Sequence, residues 1–150
     1  MKAVIQRVST ASVSINGHLH AVIGKGYLVL LGIATADTTE DALWLCKKIA
    51  ALRVFADEAG LMNKDLKEAD GAVLVVSQFT LQASYKKGNR PSFIQAARPE
   101  QAVPLYEYFL AQMALHCERE IASGVFGADM QVALVNDGPV TIIMDTHNKE

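Results

Sequence analysis

Hydrophobic and polar positions alternate from the start of the chain. Ala3 and Ile5 fall on one face of an extended segment, and Val4, Gln6 and Val8 on the other, the period-two signature of a strand. Residues 11–15 predict a second strand. Asn16-Gly17 predicts a two-residue hairpin, because both residues tolerate positive φ. Residues 19–23 return from it, and Gly24-Lys25-Gly26 marks another turn. Residues 27–33 are almost wholly apolar, as in a central strand covered on both faces.

The period then changes. Thr38-Thr39-Glu40-Asp41 reads as a helix start, with a hydroxyl to cap and acids at the positive end of the dipole. Ala42, Leu45, Cys46, Ile49 and Leu52 follow at helical spacing. Residues 53–57 predict a short strand turned by Glu58-Ala59-Gly60. Residues 61–71 are polar and fit neither period. Residues 72–78 predict an interior strand, and residues 82–98 a long loop. Pro99 opens a second helix whose apolar face is Ala102, Tyr106, Phe109, Leu110, Met113 and Cys117; Pro104 is tolerable near its first turn. Residues 130–135 predict a strand that Asn136-Asp137-Gly138-Pro139 interrupts, and residues 140–144 the last strand. The polar tail, 145–150, is expected to fray. This order predicts an α+β fold with a mostly antiparallel sheet and two main helices, in one domain spanning 1–150.

Composition narrows the class. The chain has 150 residues, 51% hydrophobic and 20% charged, which excludes a disordered or fibrous protein. The net charge of -2 excludes a whole-surface attraction to nucleic acid or anionic lipid, so any such partner needs a local patch. The two cysteines, Cys46 and Cys117, both fall in predicted helices and read as buried thiols. The first residues lack the apolar core of a signal peptide. The longest apolar stretch, 27–34, is far short of the roughly 18 residues of a membrane span. These features predict a soluble cytoplasmic protein without a membrane partner.

No Gly-rich phosphate loop, C-x-x-C, H-E-x-x-H or G-x-S-x-G occurs. The four histidines, His18, His20, His116 and His147, are scattered, and no metal site is expected. Three segments stand out instead. At Ser77-Gln78-Phe79-Thr80-Leu81 an apolar strand ends abruptly in hydrogen-bonding residues, where free backbone N–H groups can form an oxyanion hole; on the residues alone an ordinary Ser/Thr turn is the simpler account. At Asn136-Asp137-Gly138-Pro139-Val140-Thr141, glycine permits close approach and proline removes a donor; here too a plain turn is simpler. Residues 84–98 hold Lys86, Lys87, Arg90 and Arg98, with Tyr85 and Phe93 and no acid. Such a loop can track phosphates, and it can equally be a solvated surface.

SQFTL at 77–81 and NDGPVT at 136–141 resemble the two signatures of the D-aminoacyl-tRNA deacylases. Ile5-Gln6-Arg7-Val8 with Ala11-Ser12-Val13, Arg90-Pro91-Ser92-Phe93 and Ala128-Asp129-Met130-Gln131-Val132 are similar to other family segments, in the same order along nearly the whole chain. The resemblance implies a barrel-like core and a homodimer. It implies hydrolysis of the ester joining a D-amino acid to the terminal ribose of tRNA, activity on mischarged glycyl-tRNA, and no cofactor. It implies an active site at the dimer interface, where Ser77, Gln78, Phe79 and Thr80 of one subunit meet a cis Gly138-Pro139 corner of the other that excludes L-amino acids. Backbone N–H groups near Phe79 and Thr80 would polarise the ester carbonyl. The nucleophile is either Thr80 or water assisted by the ribose 2′-OH; Thr80 has no evident base, which favours water. Asn136 and Met130 join the substrate-binding set, with core packing the simpler account of Met130; Lys86, Lys87 and Arg90 join the tRNA-binding set; and Arg7 either orients the corner or is an ordinary surface cation. Competing expectations are a broader esterase using Ser77 or Thr80, an RNA-binding module without chemistry, and a purely structural dimer.

Overall fold

The computed structural model describes residues 1–150. The first strand, β1 (Lys2–Ile15), hairpins at Asn16-Gly17 into β2 (His18–Ile23). Asn16 and Gly17 have φ of 52° and 75°, the pair of positive values a type I′ turn demands. Next come β3 (Gly26–Gly32), α1 (Thr39–Ala50), the small ribbon β4 (Phe55–Ala56) and β5 (Met62–Lys64), and β6 (Ala72–Ser77). A 3-10 turn (Phe79–Gln82), α2 (Pro99–Cys117), β7 (Ala122–Ser123) and β8 (Met130–Asp145) complete the chain.

The main sheet runs β2-β1-β3-β6-β7, with β8 also paired to β1. It is α+β, mostly strand, and curls nearly closed into a barrel. β1 organises it: its first half pairs with β3, its second half with β2, and β8 lies antiparallel along its whole length. The pairings of β6 with β3 and of β7 with β6 are parallel. Strand alternation sorts the apolar residues into two cores. Ala3, Ile5, Val29, Leu31, Val73 and Val75 face α1 and α2, where they meet Leu45, Ile49, Phe109 and Met113. Val8, Val13, Leu28, Leu74 and Val76 fill the barrel interior.

The structure departs from the sequence reading in several places. Residues 2–15 form one strand rather than two, because β1 bends past bulges while holding β8. The polar stretch 61–71 contains β5 and the buried Leu66. Residues 130–145 form one continuous strand, so Asn136-Asp137-Gly138-Pro139 does not reverse the chain. Gln6 pairs with Thr141 and Val8 with Asn136, so residues 137–140 stand opposite Arg7 alone and are pushed out of the ladder as an elbow. Residues 145–150 are anchored rather than frayed. Thr146 is buried and its backbone N–H bonds the Met1 carbonyl at 2.9 Å, while Met1 donates its ammonium to Thr146 Oγ1 at 2.7 Å.

Candidate active site

β6 delivers Ser77 to the rim of the sheet, and the 3-10 turn then folds the next residues back across the end of β3. Two contacts fix this turn. The Gln78 N–H bonds the Leu31 carbonyl at 2.8 Å, and the buried Gln82 amide donates to the Gly32 carbonyl at 2.8 Å. Gly32 makes the approach possible: a Cβ there would lie 2.8 Å from Leu81 Cβ and 2.9 Å from the Gln78 carbonyl oxygen. The N–H groups of Phe79 and Thr80, the first two of the turn, donate to no carbonyl of the chain. They are the free donors that a helical start leaves exposed.

Ser77, Gln78, Phe79 and Met130 share a cavity of about 270 Å³, otherwise walled largely by apolar groups such as Val76, Phe126 and Val132. The Met130 sulfur fills the space above Gly124, where a Cβ would sit 2.5 Å from it. Thr80 is exposed and accepts a hydrogen bond from the Gln78 side-chain amide. No histidine or carboxylate bonds its hydroxyl. Phe79 is 56% exposed and meets Phe93 edge-on at 5.0 Å between ring centres. That contact ties the turn to the loop carrying Lys86, Lys87 and Arg90, which Ser84 and Ser92 close with paired 2.8 Å bonds. All three cations are exposed and none pairs with an acid.

The elbow lies elsewhere in the chain. The Gly138-Pro139 peptide is cis, and Gly138 has φ 137°. A Cβ on Gly138 would meet the Val140 side chain at 2.8 Å and Arg7 Nη2 at 3.1 Å, so glycine is required. Arg7 donates from Nε to the Asp137 carbonyl at 2.9 Å and from Nη1 to the Val54 carbonyl, gripping the elbow from below. Asn136 closes its neck: Oδ1 accepts the Val140 N–H and Nδ2 donates to Thr141 Oγ1, each at 3.0 Å. Asn136 thus bonds within its own strand and does not line the cavity beside Ser77.

One cluster escaped sequence reasoning. Asp37, buried in a turn, accepts bonds from the Met1 ammonium, from the Ala34 N–H at 2.6 Å and from His147 at 2.7 Å. Asp37, Asp41 and His147 have donor atoms within 4.8 Å of one another. The ammonium is the cation that Asp37 already holds, so the cluster reads as a structural knot. Only chain closure brings Met1 beside residue 37, and no local pattern signals that. No helix is long and apolar enough to cross a membrane.

A curled sheet carries two helices on one side and sets a hydrogen-bonding turn, with two free backbone donors, at a cavity mouth. The family profile described as D-Tyr-tRNA(Tyr) deacylase matches residues 4–145, and the chain belongs to that family. Proteins named D-aminoacyl-tRNA deacylase from Cytophaga hutchinsonii and Bacteroides thetaiotaomicron are 61% and 59% identical over 150 residues, covering 100% of both chains in each case. A solved structure described as c-Myc DNA Unwinding Element Binding Protein superposes with TM-score 0.91 at 46% identity, covering 97% of this chain and 98% of that one. Another, of a probable eukaryotic D-amino acid tRNA deacylase, shares the fold with TM-score 0.82 at 16% identity, covering 95% and 97%.

Proposed function

We propose that the protein is a homodimeric hydrolase that cleaves the ester of D-aminoacyl-tRNA and of mischarged glycyl-tRNA, releasing free amino acid and tRNA. The terminal adenosine enters the apolar cavity beside Ser77 and Met130. The ester carbonyl oxygen faces the N–H groups of Phe79 and Thr80. Water attacks the carbonyl carbon, and the negative charge collects on the oxygen between those donors. The C–O bond to the ribose then breaks, and the ribose oxygen takes the proton, helped by its 2′-OH neighbour. Each well-placed donor is worth about 2.7–4 kcal/mol of transition-state stabilisation. Thr80, with no base in contact, serves as a donor platform and not as the nucleophile.

Discrimination belongs to the elbow. Its carbonyls hold the substrate ammonium and leave no room for a side chain of L configuration; each 1.4 kcal/mol of clash gives about tenfold selectivity. Glycine, with no side chain, passes. The observation that supports the cross-subunit reading is separation: none of residues 136–141 lines the cavity that holds Ser77, Phe79 and Met130 of the same chain. An elbow kept out of its own pocket is free to serve that of a second copy. Lys86, Lys87 and Arg90 lie beside the catalytic turn, where tRNA phosphates would approach.

The deciding experiment is hydrolysis of matched D- and L-aminoacyl-tRNA, with glycyl-tRNA in parallel. The D and glycyl esters are expected to be cleaved and the L ester spared; equal cleavage of both enantiomers defeats the chirality reading. Thr80→Val is expected to retain turnover within about tenfold, and loss as deep as removal of a nucleophile would make Thr80 the attacking group. A substrate with 2′-deoxyribose is expected to be cleaved slowly. A second reading, nucleic-acid binding without chemistry, draws on the name of the 46% identical relative; binding of tRNA with no loss of the D ester would establish it.

A further inference from the structure

A second cleft, of about 570 Å³, opens on the opposite flank of the catalytic turn. Trp44 and Lys48 of α1, Lys2 of β1, Ile143 of β8 and Lys149 line it, and Leu81 forms part of its wall. The Lys149 ammonium sits 4.7 Å from the Trp44 ring centre and that of Lys48 5.9 Å. Lys2, Lys48 and Lys149 make no ion pair. Two acids also reach the cleft, Asp145 and Glu150. Both are turned to other partners: Asp145 accepts the His147 N–H at 3.0 Å, and Glu150 the Asn148 amide at 3.4 Å. The result is an indole plane with two ammonium groups over it, in a cleft where three lysines outnumber two carboxylates, on a protein whose net charge is -2.

We propose that this cleft binds single-stranded RNA next to the terminal adenosine of the substrate. A base stacks on Trp44, and the lysines leave the ring for its flanking phosphates. This rests on the deacylase reading and extends it. An aromatic plane with loose cations is the pairing that holds single strands without reading their sequence, since every base offers a π-face. A base also outbids an exposed ammonium for the same ring. Continuity supports the assignment: Leu81 in this cleft and Phe79 at the Ser77 cavity belong to the same 3-10 turn. A strand whose last nucleotide occupies one side crosses that turn to reach the other. The patch also supplies the local attraction that an acidic chain needs to hold a polyanion.

Trp44 is the only tryptophan, so its fluorescence reports this cleft alone. Titration with a single-stranded RNA tetranucleotide and with uncharged tRNA is expected to quench it, less so at higher salt. Lys48→Glu and Lys149→Glu, both at exposed positions, are expected to lower kcat/KM on D-aminoacyl-tRNA at least tenfold more than on D-aminoacyl-adenosine, which lacks the upstream phosphates. No quenching by either RNA, or an equal change on both substrates, overturns the proposal. A change in emission that follows protein concentration without RNA assigns the cleft to a second copy of the chain and also overturns it. Quenching by RNA with no hydrolysis of either substrate by the wild type supports the RNA site and removes the deacylase reading, which separates the two failures.

Discussion

At the scale of single residues, the side chains around the elbow matter less for what they offer a ligand than for what they hold still. Asn136 bonds both Val140 and Thr141, and so braces the neck of the Gly138-Pro139 elbow. Asn136→Ala removes two hydrogen bonds at a part-exposed site, each worth about 1 kcal/mol. The expected result is a fall in the ratio of D to L hydrolysis, with thermal stability lowered by only a few degrees. Asn136→Asp keeps the acceptor for the Val140 N–H and is expected to restore part of the ratio. A residue that merely stabilised the fold would lower both rates together and leave the ratio alone. The sequence exposes the unusual glycine and proline but not the bonds from Asn136 to Val140 and Thr141, because an amide beside a glycine corner looks the same whether it faces outward or back along its own strand.

Elements show the same division. The two helices, the hairpin at Asn16-Gly17 and the interior strands were legible because each has a local cause: an apolar period, a turn with two positive φ values, a capping residue. Features created by distant pairing were not. Nothing near residue 136 tells that β1 will hold β8 on both sides of the elbow, so an excursion from one strand reads as a turn between two. The turn at 79–82 is likewise shaped by a glycine far away in sequence. Gly32→Ala places a methyl group against Leu81 and the Gln78 carbonyl, and overpacking of this kind costs about 1–3 kcal/mol. The turn must move outward, taking the Phe79 and Thr80 donors with it. Turnover is expected to fall more than tenfold in a protein that still melts cooperatively. Unchanged turnover would show that those donors do not face the reacting carbonyl.

For the whole molecule, the ionisable groups of the core set an upper pH limit. Burial pushes the Cys46 thiol up to about 12 and the Cys117 thiol to about 11, and raises Tyr27 and Tyr106 as well. In the unfolded chain the thiols ionise near their ordinary value of 9.0, while the folded chain keeps them protonated. The unfolded state therefore sheds protons first, and stability falls as pH rises through 9 towards 11, by up to about 1.4 kcal/mol per pH unit for each group. Chemical denaturation at pH 7, 9 and 10 is expected to show that decline, and a midpoint that stays flat would count against it. At neutral pH neither thiol is expected to react with an alkylating reagent until denaturant is added.

The bulge opposite Arg7 carries one more implication, for how the elbow can vary in length. From Ile5 paired with Ile142 to Ala11 paired with Leu134, β8 spends two residues more than β1, an even surplus. Inward- and outward-facing positions consequently stay in phase on both sides of the excursion, since a strand alternates with period two. Removing one residue from 137–140 would turn half of the strand inside out, whereas removing two would preserve its phase. Insertions and deletions tolerated at this corner should come in pairs, a parity rule imposed by the sheet rather than by the substrate.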